Sequence, residues 1–328
     1  MKPFAYERAA EPAAAVATMA RPGRVYLAGG TNLVDLMKLG VSAPEVVVDV
    51  GDLPYRDVET LPGGALRAGA LVSNSDLAAH PDVRVRYPAV SLALLSGASG
   101  QLRNRATLGG NLLQRTRCRY FQDVTKACNK RVPGAGCAAV EGEHRDLAIL
   151  GASRHCVATN PSDLAVALSI MDAQVEFLGP HGLDRISVHD LYRRPGERPD
   201  RDTNLPRGAL VTGVVLPPLP MAAASTYRKV RDRASFAFAA GSVAAAVDVR
   251  DGTVHDVRIA WGGVAHLPWR AWAAERAMRG APATVDTFAR GADEELLAAR
   301  PLPDNGWKVP LLRNLTVAVL RSMTEAGW

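Results

Sequence analysis

An α+β protein of more than one domain is what this sequence predicts, on three observations. Short apolar strand patterns alternate with glycine turns and helical patterns over the first two thirds of the chain. A strand hairpin followed by three helical segments fills the last third, and sheet followed by helices marks a separate α+β unit. The 328 residues give length for two or three ordinary cores, so folding requires no covalent staple.

Taken in order, the alanine-rich stretch Ala13 to Ala20 reads as helix. Arg24 to Leu27 is a strand pattern, followed by the turn Ala28-Gly29-Gly30-Thr31-Asn32 and the helical pattern Leu33, Leu36, Met37. Such a turn lets backbone N–H groups approach a phosphate, although it has neither the Walker lysine nor the G-x-G-x-x-G spacing. Strands are expected at Val46 to Val50 and Leu66 to Leu71, with Ser75 or Asp76 capping a short helix through His80. A longer helix spans Tyr87 to Ala98. Residues 97–112 then form a second polar loop bearing Thr107, Gly109, Gly110 and Asn111. Two loops of this kind suggest the two sides of one extended phosphate-containing ligand.

Asn160 is placed to cap a helix with Pro161 at its first position and Leu164 to Ala173 as its body, and Asp163 suits the first turn. Strands follow at Gln174 to Leu178 and Arg185 to Val188. Leu210 and Val211 belong to a further strand, after a proline-bearing loop from Pro195 to Pro206. Ser235 to Val249 and Thr253 to Val264 are strand patterns joined by the hairpin signal Asp251-Gly252. Helices are expected at Pro268 to Met278, Val285 to Ala298 and Leu311 to Ala326.

Composition narrows the function. Charged residues make up 22% and aromatics 5%, and the net charge of +6 is dispersed except for one segment, so nucleic acid is not an expected partner. No apolar run reaches the eighteen or so residues of a membrane span. Met1 to Ala10 has no apolar core or cleavage site, so the chain is not expected to carry its own export signal. H-E-x-x-H and the nucleophile elbow are absent, and the seven histidines have no metal spacing.

All four cysteines, Cys118, Cys128, Cys137 and Cys156, fall within 39 residues, in a basic and irregular stretch that includes the bend Pro133-Gly134-Ala135-Gly136. Their spacings match neither a zinc ribbon nor a bacterial ferredoxin run. Nearby Lys and Arg would offset the negative charge of a thiolate-bound iron centre. Four-thiolate iron–sulfur binding, structural zinc, two disulfides and unpaired buried thiols all stand at this point. His155, beside Cys156, reads as an exposed loop residue.

Four motifs occur in one order: Ala28-Gly29-Gly30-Thr31-Asn32-Leu33, Thr107-Leu108-Gly109-Gly110-Asn111-Leu112, Asn160-Pro161-Ser162-Asp163-Leu164, and Tyr227 to Phe236. Together they resemble the FAD-binding subunits of the xanthine dehydrogenase and molybdenum hydroxylase family, over essentially the whole chain. The resemblance implies an FAD-binding PCMH-type domain of two α/β subdomains over residues 1–223. An α+β domain with a three-stranded sheet and helices would follow over 224–328, as in carbon monoxide dehydrogenase flavoproteins. Between Asn111 and Asn160 lie 48 residues where most members of the family have a short connection. This insertion, at about 112–159, is similar to the one that carries a [4Fe-4S] cluster in flavin subunits of bacterial periplasmic aldehyde oxidoreductases.

By that resemblance, Ala28, Gly29, Gly30, Thr31, Asn32 and Leu33 would hold the FAD pyrophosphate, with Thr107, Gly109, Gly110 and Asn111 as the second loop. Asp163 would meet the ribose or adenylate end, Lys229 would lie near the flavin or its phosphates, and Leu210 and Val211 would pack on the ring system. Cys118, Cys128, Cys137 and Cys156 would ligate the cluster. The implied partners are a molybdenum-cofactor large subunit and a [2Fe-2S] small subunit, in a heterotrimer that delivers electrons to an external acceptor. Export with a partner to the periplasm is implied, with the cytoplasm as the alternative. The rivals are a 4-hydroxybenzoyl-CoA-reductase-like flavin subunit and a non-catalytic four-thiolate zinc protein.

Overall fold

The computed structural model describes residues 1–325, and three sheets organise it. The first subdomain runs β1 (Ala5–Arg8), α1 (Pro12–Thr18), β2 (Arg24–Leu27), α2 (Leu33–Lys38) and β3 (Val46–Asp49). Its strands are parallel in the order β1-β3-β2, so each link must cross over, and α1 and the β2–α2 unit supply the crossings.

The second subdomain begins with β4 (Val58–Thr60), β5 (Leu66–Gly69), α3 (Asn74–Ala79), α4 (Pro81–Arg86), α5 (Pro88–Ser96), α6 (Gly100–Arg105) and α7 (Leu108–Leu112). After the cysteine segment, which holds only α8 (Arg119–Gln122), come α9 (Asp163–Ile170), β6 (Gln174–Gly179), β7 (Gly182–Ser187), α10 (Val188–Leu191) and β8 (Leu210–Leu216). These strands make an antiparallel sheet in the order β4-β5-β8-β6-β7.

The rest of the chain comprises β9 (Thr226–Val230), β10 (Gly241–Arg250), β11 (Thr253–Gly262), β12 (Trp269–Arg270), α11 (Trp272–Met278), α12 (Val285–Leu296) and α13 (Lys308–Glu325). The alternation along β10 explains its alanine run. Val243, Ala245 and Val247 point into a core shared with α11, α12 and α13, while Ala244 and Ala246 face α9 in the core of the second subdomain. Small side chains on that face let sheet and helix pack closely, so the last domain is sandwiched rather than appended.

Several boundaries differ from the sequence reading. The helix at 74–79 is capped by Ser73, whose Oγ accepts from Asp76 N–H, and not by Ser75 or Asp76. Ser162 rather than Asn160 caps α9, because Asn160 Oδ1 is occupied by the N–H of Ser162. The second glycine segment is two short helices, α6 and α7, capped by Ser99 and Thr107, not an open loop. Strand β10 starts at Gly241, and residues 231–240 form a loop with Phe236 in the left-handed region at φ 52°. The C-terminal sheet has three full strands plus the two-residue β12, which occupies the start of a segment expected to be helical. The expected end of the last helix at Ala326 lies outside the described residues.

Asp172 joins the sandwich at the end of α9. Its carboxylate takes hydrogen bonds from His189, Arg258 and Arg270. Burial would raise its pKa, but the His189 hydrogen bond and the two guanidinium charges outweigh burial and hold it at about 2. Because that lies below the unfolded value, the contribution is complete above about pH 3.9 and lost as pH falls through the folded value. The Asp172 side chain is 41% exposed, and solvent screening reduces its contribution to about 1–2 kcal/mol. Asp172→Asn, which tolerates the same φ of 50°, should therefore lower stability by that amount at neutral pH, with the difference shrinking as pH falls through about 2 and vanishing below it. Denaturant melts across that range check it, and equal stability at pH 7 would exclude the joint.

Candidate functional site

Two clefts meet along the glycine segments. The first, about 430 Å³, lies between the two subdomains and is lined by Ala28, Gly29, Gly30, Thr31, Asn32 and Leu33 on one side. Thr107, Gly109, Gly110, Leu210 and Val211 line the other. The second, about 180 Å³, shares Thr31, Asn32 and Gly110 with the first and continues to Asn111, Asp163 and Lys229. All thirteen residues expected at a cofactor site thus border one continuous groove.

The two glycine segments contribute differently. In the first turn the N–H groups of Gly29, Gly30, Thr31, Asn32 and Leu33 find no acceptor among the described residues. Five consecutive donors at a glycine turn form a concavity suited to an anion. Gly30 adopts φ 79°, and a Cβ on Gly29 would sit 2.1 Å from the carbonyl oxygen of Arg105. The turn therefore needs glycine for its path and for close approach to α6. The second segment's N–H groups are spent internally: Gly109 donates to Ala70 O, Gly110 to Thr107 Oγ1, and Asn111 to Thr107 O. It supplies a wall rather than an anion cradle.

Unpartnered polar atoms point to a polar ligand in the second cleft. Asn32 Nδ2, Asn74 Oδ1 and Arg117 Nε are buried without hydrogen-bond partners among the described residues, and all three residues line it. Each such atom costs about 1–3 kcal/mol if left unmade. Asn74 and Arg117 were not picked out by sequence reading: neither lies in a glycine motif, and only the basic run around Cys118 hinted at Arg117. Asp163 and Lys229 pair with each other, Oδ2 to Nζ at 2.7 Å, and Asp163 Oδ1 accepts from Tyr227 at 2.6 Å. Burial and the Asp163 carboxylate push the Tyr227 hydroxyl well above its ordinary pKa, so it stays a donor. This pair bolts α9 to β9 where the cleft ends.

The four thiols are free, Cys128 and Cys156 buried and Cys118 and Cys137 half-buried. Cys128 and Cys137 sit opposite each other in an isolated antiparallel bridge. Asn129 ties three cysteine-bearing stretches together, accepting from Gly136 N–H at 2.8 Å and donating to His155 O at 3.0 Å. Thr116 joins the ends of the excursion through Cys118 N–H and Thr159 O. Burial raises the Cys118 thiol, with Cys128 and Cys137 adding to the shift. Burial likewise pushes Cys156 up to about 12, with Cys137 and Cys118 contributing. Loading a metal must therefore displace protons. Among the described residues no three His, Cys, Asp or Glu groups are gathered as a single-ion site. A polynuclear cage spreads its thiolates wider than one ion does.

The excursion also buttresses the first cleft. Cys118, Cys128 and Phe121 pack on Leu36 of α2, the helix that leaves the glycine turn. Buried Lys130 reaches Asp202 and Pro199 O, and Arg115 shares Asp202, which fastens the segment to the proline-bearing loop. His155 is half-buried, and the histidine that meets a cysteine is instead His266, 110 positions away, with Nε2 3.2 Å from Cys156 Sγ.

A dinucleotide-sized groove with an anion-cradling turn, beside an excursion that carries four free thiols, suits a redox cofactor-binding subunit. Residues 2–219 match the family described as the FAD binding domain in molybdopterin dehydrogenase, and residues 225–323 match the CO dehydrogenase flavoprotein C-terminal domain. The aldehyde oxidoreductase FAD-binding subunit PaoB of Escherichia coli (strain K12) is 49% identical over 323 residues, 98% of either chain. The putative xanthine dehydrogenase FAD-binding subunit XdhB of the same organism is 23% identical over 98% of this chain and 93% of its own. Quinoline 2-oxidoreductase from Pseudomonas putida 86 shares the fold with a TM-score of 0.76 at 20% identity, covering 99% of both chains. The chain belongs to the FAD-binding medium subunits of the xanthine dehydrogenase family, which are oxidoreductase subunits of the molybdenum hydroxylase type.

The groove fits FAD on its own terms. Free N–H groups face where a diphosphate carries charge, and the orphaned Asn32, Asn74 and Arg117 atoms await a polar partner. Leu210 and Val211 give the first cleft an apolar floor.

Proposed function

We propose that this chain is the FAD- and [4Fe-4S]-containing electron-transfer subunit of a molybdenum-dependent aldehyde oxidoreductase, which converts aldehyde to carboxylate. It would work in a heterotrimer with a molybdenum-cofactor large subunit and a [2Fe-2S] small subunit, receiving their electrons and passing them to an external acceptor. The observation that carries this reading is that all four cysteines of the chain are free, lie within residues 118–156, and sit in an excursion that packs through Cys118 and Cys128 on α2 beside the glycine groove. The 49% identity to a subunit named for an aldehyde oxidoreductase supports the substrate class.

In this reading residues 1–223 form the FAD domain, with the cluster insertion at about 112–159, and 224–328 the C-terminal domain. The turn Ala28 to Leu33 holds the diphosphate through its free N–H groups, and Thr107, Gly109, Gly110 and Asn111 close the opposite wall. Val211 and Leu210 pack against the ring system, and the paired Asp163 and Lys229 bound the far end. Bound FAD supplies the exchange between one-electron and two-electron carriers. The protein positions it and excludes water, and its hydrogen bonds and burial set its potential. Cys118, Cys128, Cys137 and Cys156 hold the cluster as thiolates, with Lys130 and Arg117 offsetting their charge. Periplasmic placement follows if a partner carries the folded complex across, since thiolates must be loaded in a reducing compartment.

Anaerobic copurification of the complex, with absorption spectra and metal analysis, tests the reading. The expected result is one FAD per chain and iron in the stoichiometry of one [4Fe-4S] cluster per flavin, beyond that of the small subunit. A colourless chain holding zinc, or a yellow one whose cysteines bind no iron, would overturn it.

A further inference from the structure

The C-terminal domain grips the cysteine excursion along a backbone seam. Ile149 and Leu150 donate to Val264 O at 2.9 and 3.0 Å, and Asn160 donates to Ala265 O at 2.8 Å. The next residue, His266, is thereby set against Cys156, with both side chains buried. At 3.2 Å from Sγ, its Nε2 belongs to the one side chain among the described residues within hydrogen-bond distance of any cysteine sulfur. The other ring nitrogen, Nδ1, has no protein partner. The ring borders a small polar cavity of about 30 Å³, shared with Gln114, Lys130, Tyr192 and Asp202. A cavity of that size and polarity holds about one water, which can donate to Nδ1 and leave Nε2 as the N–H of a neutral imidazole.

We propose that His266 donates its Nε2–H to the sulfur of Cys156 in the loaded protein, fixing the fourth thiolate and raising the reduction potential of the cluster. This rests on the [4Fe-4S] reading above. A hydrogen bond to a ligand sulfur draws off negative charge and favours the reduced cluster, which carries one more electron. Cys156 is the ligand that most needs such a partner. Eighteen residues separate it from Cys137, and the tight turn with Ser153 that holds it is placed by the return path of the excursion. His266 is a positioning residue that places part of the control of the cluster in the C-terminal domain.

The test compares His266→Leu, which removes the donor, with His266→Gln, which restores an N–H, in the complex purified with its partners. Iron and FAD content and an EPR-monitored redox titration of the [4Fe-4S] signal are the readouts. His266→Leu is expected to keep FAD and to lower the reduced-to-oxidised ratio about tenfold at fixed potential, a shift of about 59 mV for a one-electron couple. His266→Gln should recover at least half of the shift. A leucine variant with the wild-type midpoint and line shape would overturn the proposal. If the leucine variant takes up no iron, iron per flavin becomes the readout: a loaded glutamine variant supports the positioning role, and two empty variants reject the hydrogen bond. A wild-type complex that holds flavin but no iron beyond its small subunit would instead sink the cluster reading itself.

Discussion

Gly29→Ala is expected to reduce bound FAD to less than one tenth of the wild-type content while leaving a folded chain. The new Cβ would lie 2.1 Å from the Arg105 carbonyl oxygen and 3.0 Å from its carbon, and both atoms are backbone at the end of α6. Neither can rotate aside, so the turn and the α6–α7 wall must separate. Overpacking of this kind costs about 1–3 kcal/mol in stability. Its larger effect falls on the groove, because the separation moves five free N–H donors away from the wall that completes the site. Gly100→Ala is the control. It sits at the start of the same helix with nothing within 4 Å of the added carbon, and it should retain flavin in full. Stoichiometric FAD in the Gly29→Ala protein would show that the turn does not cradle the diphosphate.

Cys118→Ser is expected to abolish the cluster, with iron falling to the level contributed by the small subunit. A serine hydroxyl is a poor ligand for iron, and three thiolates leave one corner of a cubane open. The flavin should largely remain, because the groove is built from β2, α2, α7 and β8. Some loosening of FAD is expected, since Cys118, Cys128 and Phe121 buttress α2 through Leu36. Metal analysis and flavin release on ultrafiltration separate the two effects. Full iron in that variant, purified anaerobically, would remove Cys118 from the ligand set.

How far the site could be read ahead depended on whether its signals were local. The strand–glycine–helix unit at Arg24 to Lys38 was legible because strand, turn and helix periodicities adjoin. The α9 cap was misplaced between Asn160 and Ser162, which both cap well. The choice fell to the seam with Ala265, which fixes the entry of the chain at Asn160 N–H. The strand expected from Ser235 begins only at Gly241. The segment before it instead forms a loop lining the second cleft, with Phe236 at positive φ.

The Asp163–Lys229 pair shows the same division. Each residue was singled out by its motif, yet nothing in either motif indicates that the two neutralise each other. Asn74 and His266 left no trace in sequence pattern, and Arg117 only the basic run around Cys118, because their roles arise from unpartnered atoms and from contacts between distant segments.

The sequence by itself determined the two glycine segments, the confinement of all thiols to one excursion and the sheet-then-helices order of the last domain, since these rest on turn chemistry and short-range periodicity. Tertiary structure alone decided which N–H groups stay free, which charges cancel and which histidine meets a sulfur. Those outcomes depend on distances between segments 66 to 110 residues apart, and such distances are set by how the cores pack rather than by any local preference of the chain.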